Sequence, residues 1–144
     1  MLAADIATAA DTRFSQLEVK RGIMATGGAT IRMVERSGWG NAMRYLVTGE
    51  EFDAETALQL NFVQEIVEPG EQLKRALEIA QQIVGQAPLV VRQTIISVRL
   101  AVDEGSAAAV ALCKDISTEF MESADAVKGV SSFLERRAAQ FTGR

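Results

Sequence analysis

Apolar side chains recur at helical spacing through the second half of the chain. The pattern predicts a helix that begins at Glu71 and ends before Gly85, and another that runs from Pro88 to Gly105. The β-branched run in this second segment leaves a strand as the rival interpretation. Two further helices are predicted from two apolar sets: Ala109, Leu112, Cys113, Ile116 and Phe120, then Val127, Val130, Phe133 and Leu134.

Local sequence signals predict the cap of the last helix, the burial of Cys113 and the conformation of the final residues. Ser123 or Asp125 is expected to cap the last helix, because short polar side chains accept hydrogen bonds from the free amides of a first turn. Cys113 shares the apolar spacing of its neighbours, so we expect it to be buried. The final residues, 141–144, continue no helical pattern and are expected to fray.

The first half combines strand patterns with a short helix. Residues 5–10 alternate small and β-capable side chains, and residues 62–67 are rich in β-capable ones, so both predict strands. Asp53 precedes a short apolar-periodic segment and is a predicted N-cap. The whole pattern predicts an α/β fold that is predominantly helical.

Two longer helices lie between the predicted strands. One is expected from about Thr26 to Gly38 and the next from Trp39 to Gly49, since glycine readily takes the left-handed conformation that ends a helix. Trp39 lies between two glycines at the junction of these helices. We expect its indole to be a packing anchor between them.

Composition excludes several classes of protein. The 144 residues suffice for one core, and 48% apolar with 24% charged residues excludes disorder. A net charge of -4 argues against a nucleic-acid partner, which needs a basic face. No apolar run approaches the roughly 20 residues of a membrane span, and the first residues carry no leader pattern. We therefore expect no membrane partner and a cytoplasmic location.

The chain has no histidine and one cysteine. This composition excludes a disulfide framework and a catalytic triad with a histidine base, and we expect no metal site of the zinc or copper type. Any chemistry must therefore use carboxylates, lysines or backbone amides.

Glu18 is the acid that the pattern singles out. It lies between apolar and basic neighbours, eight residues before a segment that opens with Thr26, Gly27 and Gly28. A carboxylate in a partly apolar pocket can exchange a proton near neutral pH, because desolvation raises the pKa of a carboxyl group. The alternative interpretation is an ordinary surface glutamate.

Two other features allow a functional and a structural interpretation. Gly27 and Gly28 at a helix start can present amides to an anion or a polarised carbonyl, or can simply form a tight turn. The pair has neither the lysine of a phosphate-binding loop nor a three-glycine dinucleotide pattern. Arg136 and Arg137 can bind a phosphate, or can complement the dipole of the last helix.

The sequence resembles the enoyl-CoA hydratase/isomerase (crotonase) superfamily along essentially the whole chain. The matching segments keep their order and spacing. They are residues 5–6, 9–10, 13–18, 22–23, 27–30 with Arg32, 46–50, 54–57, 62–63, 87–88 and 129–136.

The resemblance implies the C-terminal half of that fold. Residues 1–69 would be the C-terminal part of a crotonase-like β/α spiral core, and residues 70–144 a helical trimerisation region. In the family, both oxyanion-hole amides and a second catalytic glutamate come from segments upstream of the position of Met1. We therefore expect this chain to be a fragment without its oxyanion hole.

The resemblance also implies roles for named residues. Glu18 matches the remaining catalytic glutamate, which handles the proton of water in hydratases or moves a proton along the acyl chain in some isomerases. Phe133 and Arg136 match positions that reach the coenzyme A of a neighbouring subunit. The residues implied to border the acyl group are Gly22, Met24, Thr26 and Gly27.

Two departures affect this acyl pocket. Leu17 stands where a proline is common, and Ala25 with Thr26 stands where a Pro-Gly pair usually precedes the glycines. The acyl chain length and the reaction type are therefore open.

The leading hypothesis is hydration of a 2-enoyl-CoA thioester with Glu18 as acid and base. Coenzyme A is then part of the substrate, with no separate cofactor, and the partners are the acyl-CoA and further copies in a trimer or a dimer of trimers. The alternatives are a non-catalytic oligomerisation or binding module, or another crotonase reaction such as enoyl-CoA isomerisation or acyl-CoA hydrolysis.

Overall fold

The computed structural model describes residues 1–144, except for the side chains of Thr118 and Glu119. The chain forms two compact units, Met1–Glu78 and Ile79–Arg144. The predicted division into residues 1–69 and 70–144 stays a prediction.

The first unit contains a short parallel strand pair. Strand β1 (Thr8–Ala9) pairs with β2 (Glu65–Ile66), and Thr8 lies opposite Glu65. The predicted strands at 5–10 and 62–67 are therefore too long. The Phe62 amide instead donates to the Ala57 carbonyl oxygen at 2.8 Å, which ties the chain before β2 to the preceding helix rather than to a strand.

Three helices of the first unit have boundaries that the sequence predicts: two end at the predicted glycines, and the third begins after Asp53. They are α1 (Ala29–Ser37), α2 (Trp39–Thr48) and α3 (Ala54–Gln59). Gly49 closes α2 with a left-handed φ of 60°, and Asp53 Oδ1 accepts a 2.9 Å hydrogen bond from the Thr56 amide, as predicted. Helix α1 starts later than Thr26, because Gly28 takes a left-handed φ of 87° just before it.

The core of the first unit is built on aromatic and aliphatic side chains. Phe62, Met33 and Val63 are its largest fully buried residues. The Phe52 ring lies between Tyr45, at 4.6 Å, and Phe62, at 5.7 Å between ring centroids. Trp39 is not part of this core. Trp39 is 71% exposed at the first residue of α2, so the prediction of a packing anchor is wrong.

Helix α4 (Gln72–Val84) contains the division between the units, and three helices follow it in the second unit. They are α5 (Pro88–Glu104), α6 (Ser106–Met121) and α7 (Ala124–Leu134). Pro88 lies in the first turn of α5, so the helical prediction is confirmed and the rival strand is wrong. Ser123 Oγ accepts a 3.1 Å hydrogen bond from the Ala126 amide, which confirms the predicted cap.

Two sequence predictions for the second unit are wrong. Cys113 is exposed rather than buried, and its Sγ lies 3.5 Å from Ser97 Oγ on α5, because a helical face can be apolar in sequence without a neighbouring element that covers it. The final residues do not fray: the Thr142 and Gly143 amides donate to the carboxylate of Asp125, which is only 3% exposed. Among the side chains described in this unit, Ala109 is the one buried hydrophobic residue.

Candidate active site

Glu18 is the first residue of a tight turn, and the backbone is fixed both before and after this turn. Before it, Phe14 and Phe52 exchange backbone hydrogen bonds of 2.8 and 2.9 Å, and Ser15 Oγ donates to the Gly49 carbonyl oxygen at 3.0 Å. A 3-10 turn, Glu18–Arg21, then begins. It ends at Gly22, whose left-handed φ of 72° a side chain would rarely adopt. The backbone therefore fixes where the Glu18 side chain starts.

Gln16 supports the carboxylate itself. With its amide nitrogen turned toward Glu18, that nitrogen lies 3.0 Å from Oε2 and 3.3 Å from Oε1. Glu18 is half-buried. Gln16 belongs to the segment that matches the family, but no role could be predicted for it, because only the geometry of the turn places its side chain beside the acid.

Glu18 and Gln16 line two cavities of the first unit. The first has a volume of about 490 Å³ and is partly polar, with Arg13, Gly27 and Arg32 among its lining residues. The second has a volume of about 550 Å³ and is mostly apolar. Among the described residues, no other carboxylate lines either cavity. Glu18 is therefore the group that can exchange a proton with a molecule in either one.

The glycine pair faces the same first cavity as Glu18, as the sequence predicts. The Arg32 side chain folds back over it, and Arg32 Nη1 donates to the Gly27 carbonyl oxygen at 3.3 Å. A Cβ added at Gly28 would lie 2.0 Å from the same nitrogen. Gly28 thus permits a close approach of the guanidinium to the backbone at the start of α1.

The other predicted site residues are distributed more widely. Gly22 and Met24 line the second cavity, whereas Thr26 is exposed and lines neither of the two. In the second unit, Phe133 is 82% exposed near the end of α7. Arg136 follows that helix with a φ of 53°, exposed to solvent.

The described residues contain no group of three or more histidine, cysteine, aspartate or glutamate side chains placed to hold a metal ion. Nor does the described part of the chain include a helix of the length and apolarity that a bilayer crossing requires.

Fold and site together define an α/β protein, mostly helical, with one carboxylate on the wall shared by two cavities. A model of the family described as enoyl-CoA hydratase/isomerase matches residues 1–144. The chain belongs to this family, and the resemblance to the crotonase superfamily is confirmed.

Relatives and solved structures agree with this assignment. The short-chain-enoyl-CoA hydratase of Clostridium acetobutylicum is 30% identical over 88% of this chain and 49% of its own length. The 2,3-dehydroadipyl-CoA hydratase of Escherichia coli is 27% identical over 99% of this chain and 56% of its own. A crystal structure from Mycobacterium abscessus, described as a probable enoyl-CoA hydratase/isomerase, is 51% identical with a TM-score of 0.95, over 99% of this chain and 56% of that one. The chain spans about half the length of the curated relatives it matches.

Proposed function

We propose that this chain carries the catalytic glutamate of an enoyl-CoA hydratase, and that Glu18 transfers the proton when water adds to a 2-enoyl-CoA thioester. The observation that carries the proposal is the position of Glu18, held by Gln16 on the wall of both cavities with no second carboxylate among their described lining residues. The names of the relatives supply the substrate class.

The proposed step balances without a separate cofactor. The oxygen of water bonds to the β-carbon of the enoyl group while the Glu18 carboxylate accepts the proton that water releases. The double-bond electrons pass into the thioester as an enolate, and protonated Glu18 then gives the same proton to the α-carbon, which completes the addition and restores the carboxylate. Coenzyme A enters only as part of the substrate.

The remaining site residues have binding roles in this proposal. Gly22 and Met24, which line the second cavity, border the acyl group, and Gly27 borders its reacting end from the first cavity. The role of Thr26, which lines neither cavity, stays a prediction from the family resemblance. Phe133 and Arg136 contact the coenzyme A bound by a neighbouring copy, where an exposed guanidinium suits a phosphate. The trimer or dimer of trimers and the cytoplasmic location remain predictions from the sequence.

The test replaces Glu18 by glutamine in the full polypeptide that carries these residues. We expect the kcat for hydration of a short 2-enoyl-CoA to fall by roughly 10²- to 10⁴-fold, the usual contribution of one acid–base group, without loss of the fold. Glu35→Gln is the matched control, since Glu35 is exposed on α1 and lines neither cavity. Unchanged hydration in the Glu18→Gln variant would refute the role of Glu18.

One observation favours a second candidate, a non-catalytic oligomerisation or binding module. Large apolar side chains of the second unit are exposed, among them Phe133, Leu134 and Val102. Apolar patches of this kind commonly mark protein interfaces. Light scattering separates the outcomes: a stable monomer that binds no apolar dye rejects this candidate.

A further inference from the structure

The second cavity has a continuous apolar wall on one face of α2. Trp39, Met43 and Val47 follow one another at intervals of four residues, and all three line the cavity. Residues at this spacing lie on the same face of a helix. The opposite wall includes Ile23 and Met24 from the segment after the Glu18 turn.

The cavity has a polar end and a distant apolar end. The C-terminal end of α2 adjoins the Glu18 turn: a Cβ added at Gly49 would lie 3.0 Å from Lys20 Cε and 3.2 Å from the Gln16 carbonyl oxygen. Val47 is therefore at the end near Glu18. Trp39 lies eight residues earlier, about 12 Å away along the helix axis at 1.5 Å per residue.

Two of the three polar side chains of the cavity, those of Gln16 and Glu18, lie at this first end. Gln16, Glu18 and Thr30 are the polar side chains among its described lining residues, which include no lysine or arginine. A carboxylate at the far end would find no cationic side chain among these residues to bind it. The cavity thus fits an apolar chain that starts at the carboxylate and extends toward the indole.

We propose that Trp39, at the far end of the cavity that the proposed function assigns to the acyl group, sets the length of apolar tail that is accepted. The inference rests on the proposed function, because the tail must begin at carbons that react beside Glu18. The substrate class is an acyl thioester with a saturated, uncharged tail beyond the double bond. A tail of similar length that ends in a carboxylate is disfavoured.

Trp39 supplies its own probe, since it is the single tryptophan of the chain. Saturated acyl-CoA thioesters, which cannot be hydrated, are titrated into the full polypeptide and into its Trp39→Phe variant, and the difference between the two emission signals isolates the indole of Trp39. We expect coenzyme A and acetyl-CoA to leave the emission unchanged, and octanoyl- or dodecanoyl-CoA to shift it. An equal response to coenzyme A alone, or no response to any tail, overturns the proposal.

Kinetics give an independent test. We expect Trp39→Ala to raise the ratio of kcat/KM for a dodecenoyl over a butenoyl substrate by about tenfold or more, and Trp39→Phe to change it less. Leu73→Ala is the control, because Leu73 is also 71% exposed but lines neither cavity. An unchanged length profile in Trp39→Ala overturns the assignment of Trp39.

The two proposals fail in different ways. If Glu18→Gln abolishes hydration, but the indole emission does not depend on tail length and Trp39→Ala leaves the kcat/KM ratio unchanged, the proposed function stands and the role of Trp39 is wrong. If the emission follows tail length while Glu18→Gln hydrates normally, the cavity assignment stands and the catalytic role of Glu18 is wrong.

Discussion

The Gly143 amide donates a 2.7 Å hydrogen bond to Asp125 Oδ2, across eighteen residues of sequence. The Thr142 amide donates to Oδ1 at 2.8 Å, and the Asp125 amide donates in return to the Arg144 carbonyl oxygen at 2.9 Å. Lys128 Nζ lies 3.5 Å from Oδ1 and completes the surroundings of the carboxylate. A buried acid in the first turn of α7 therefore binds the C-terminal residues to the helix.

Replacing Asp125 by asparagine is expected to destabilise the second unit. The amide keeps one acceptor but loses the charge, and a donor then faces the backbone amides that now bond to the carboxylate. We expect the thermal midpoint to fall by about 5 °C in a melting experiment. Asp103→Asn, at an exposed position of α5, is the control and is expected to change little. Equal midpoints for both variants would contradict the structural role of Asp125.

The same carboxylate predicts a loss of stability in acid. Burial alone would raise the pKa of Asp125, but the amides of Thr142 and Gly143, the Thr142 hydroxyl and Lys128 lower it below the ordinary value of 3.8. A lowered pKa in the folded state means that the stabilisation is complete well above pH 3.8 and is lost as the pH falls through the folded value. Unfolding by urea at several pH values measures this slope. Asp125→Asn should flatten it, and an unchanged slope would show that Asp125 does not cause it.

Local signals predicted the helices better than they predicted the contacts. Asp53 and Gly49 act on neighbours within a few residues, so their effects can be recognised in sequence. The bond between Asp125 and Gly143 joins distant positions, and no local pattern distinguishes such an acid from a cap. The predictions of burial failed for the same reason. Apolar spacing placed Cys113 on a helix face, and flanking glycines placed Trp39 at a helix junction, but neither signal shows what the side chain contacts.

The candidate site, too, was predicted only in part from the sequence. Glu18 and the glycines were singled out by the local pattern of an acid that precedes a glycine pair at a helix start, and the family resemblance then implied their roles. Gln16 beside the carboxylate and the cavity along Trp39 and Met43 depend on how the Glu18 turn meets α2. One signal on α2 could have been used in the sequence analysis: its apolar residues Trp39, Met43 and Val47 recur at intervals of four.

Gly28→Ala tests the close approach at the start of α1. A methyl group there meets a left-handed φ of 87° and lies 2.0 Å from Arg32 Nη1, so the guanidinium must move and its bond to Gly27 must break. We expect a loss of about 1 to 2 kcal/mol in the free energy of unfolding, mainly from the backbone conformation. Gly27→Ala is a close control, since a Cβ there meets no atom within 4 Å. Similar losses in both variants would show that neither φ nor Arg32 distinguishes the two glycines.

Arg75 and Lys74 are adjacent cations on α4 whose ion pairs should differ in strength. Arg75 makes two hydrogen bonds to Glu65 on β2, of 2.7 and 2.9 Å, and a third to Glu78 at 3.1 Å. These bonds raise the pKa of Arg75, while the hydrogen bond from Arg75 lowers the pKa of Glu65. Lys74 makes one exposed contact with Glu71, one turn away, at 2.8 Å.

Removing each cation separately measures this difference. Arg75→Gln breaks a forked pair between the helix and the strand, a geometry that is stronger than a single contact between mobile side chains. We expect its thermal midpoint to fall by about 3 °C, and that of Lys74→Gln to stay within roughly 1 °C of the parent. Added salt should shrink the Arg75 effect only in part, because that pair is half-buried. If both variants melt at the same temperature, Arg75 does not anchor α4 to β2.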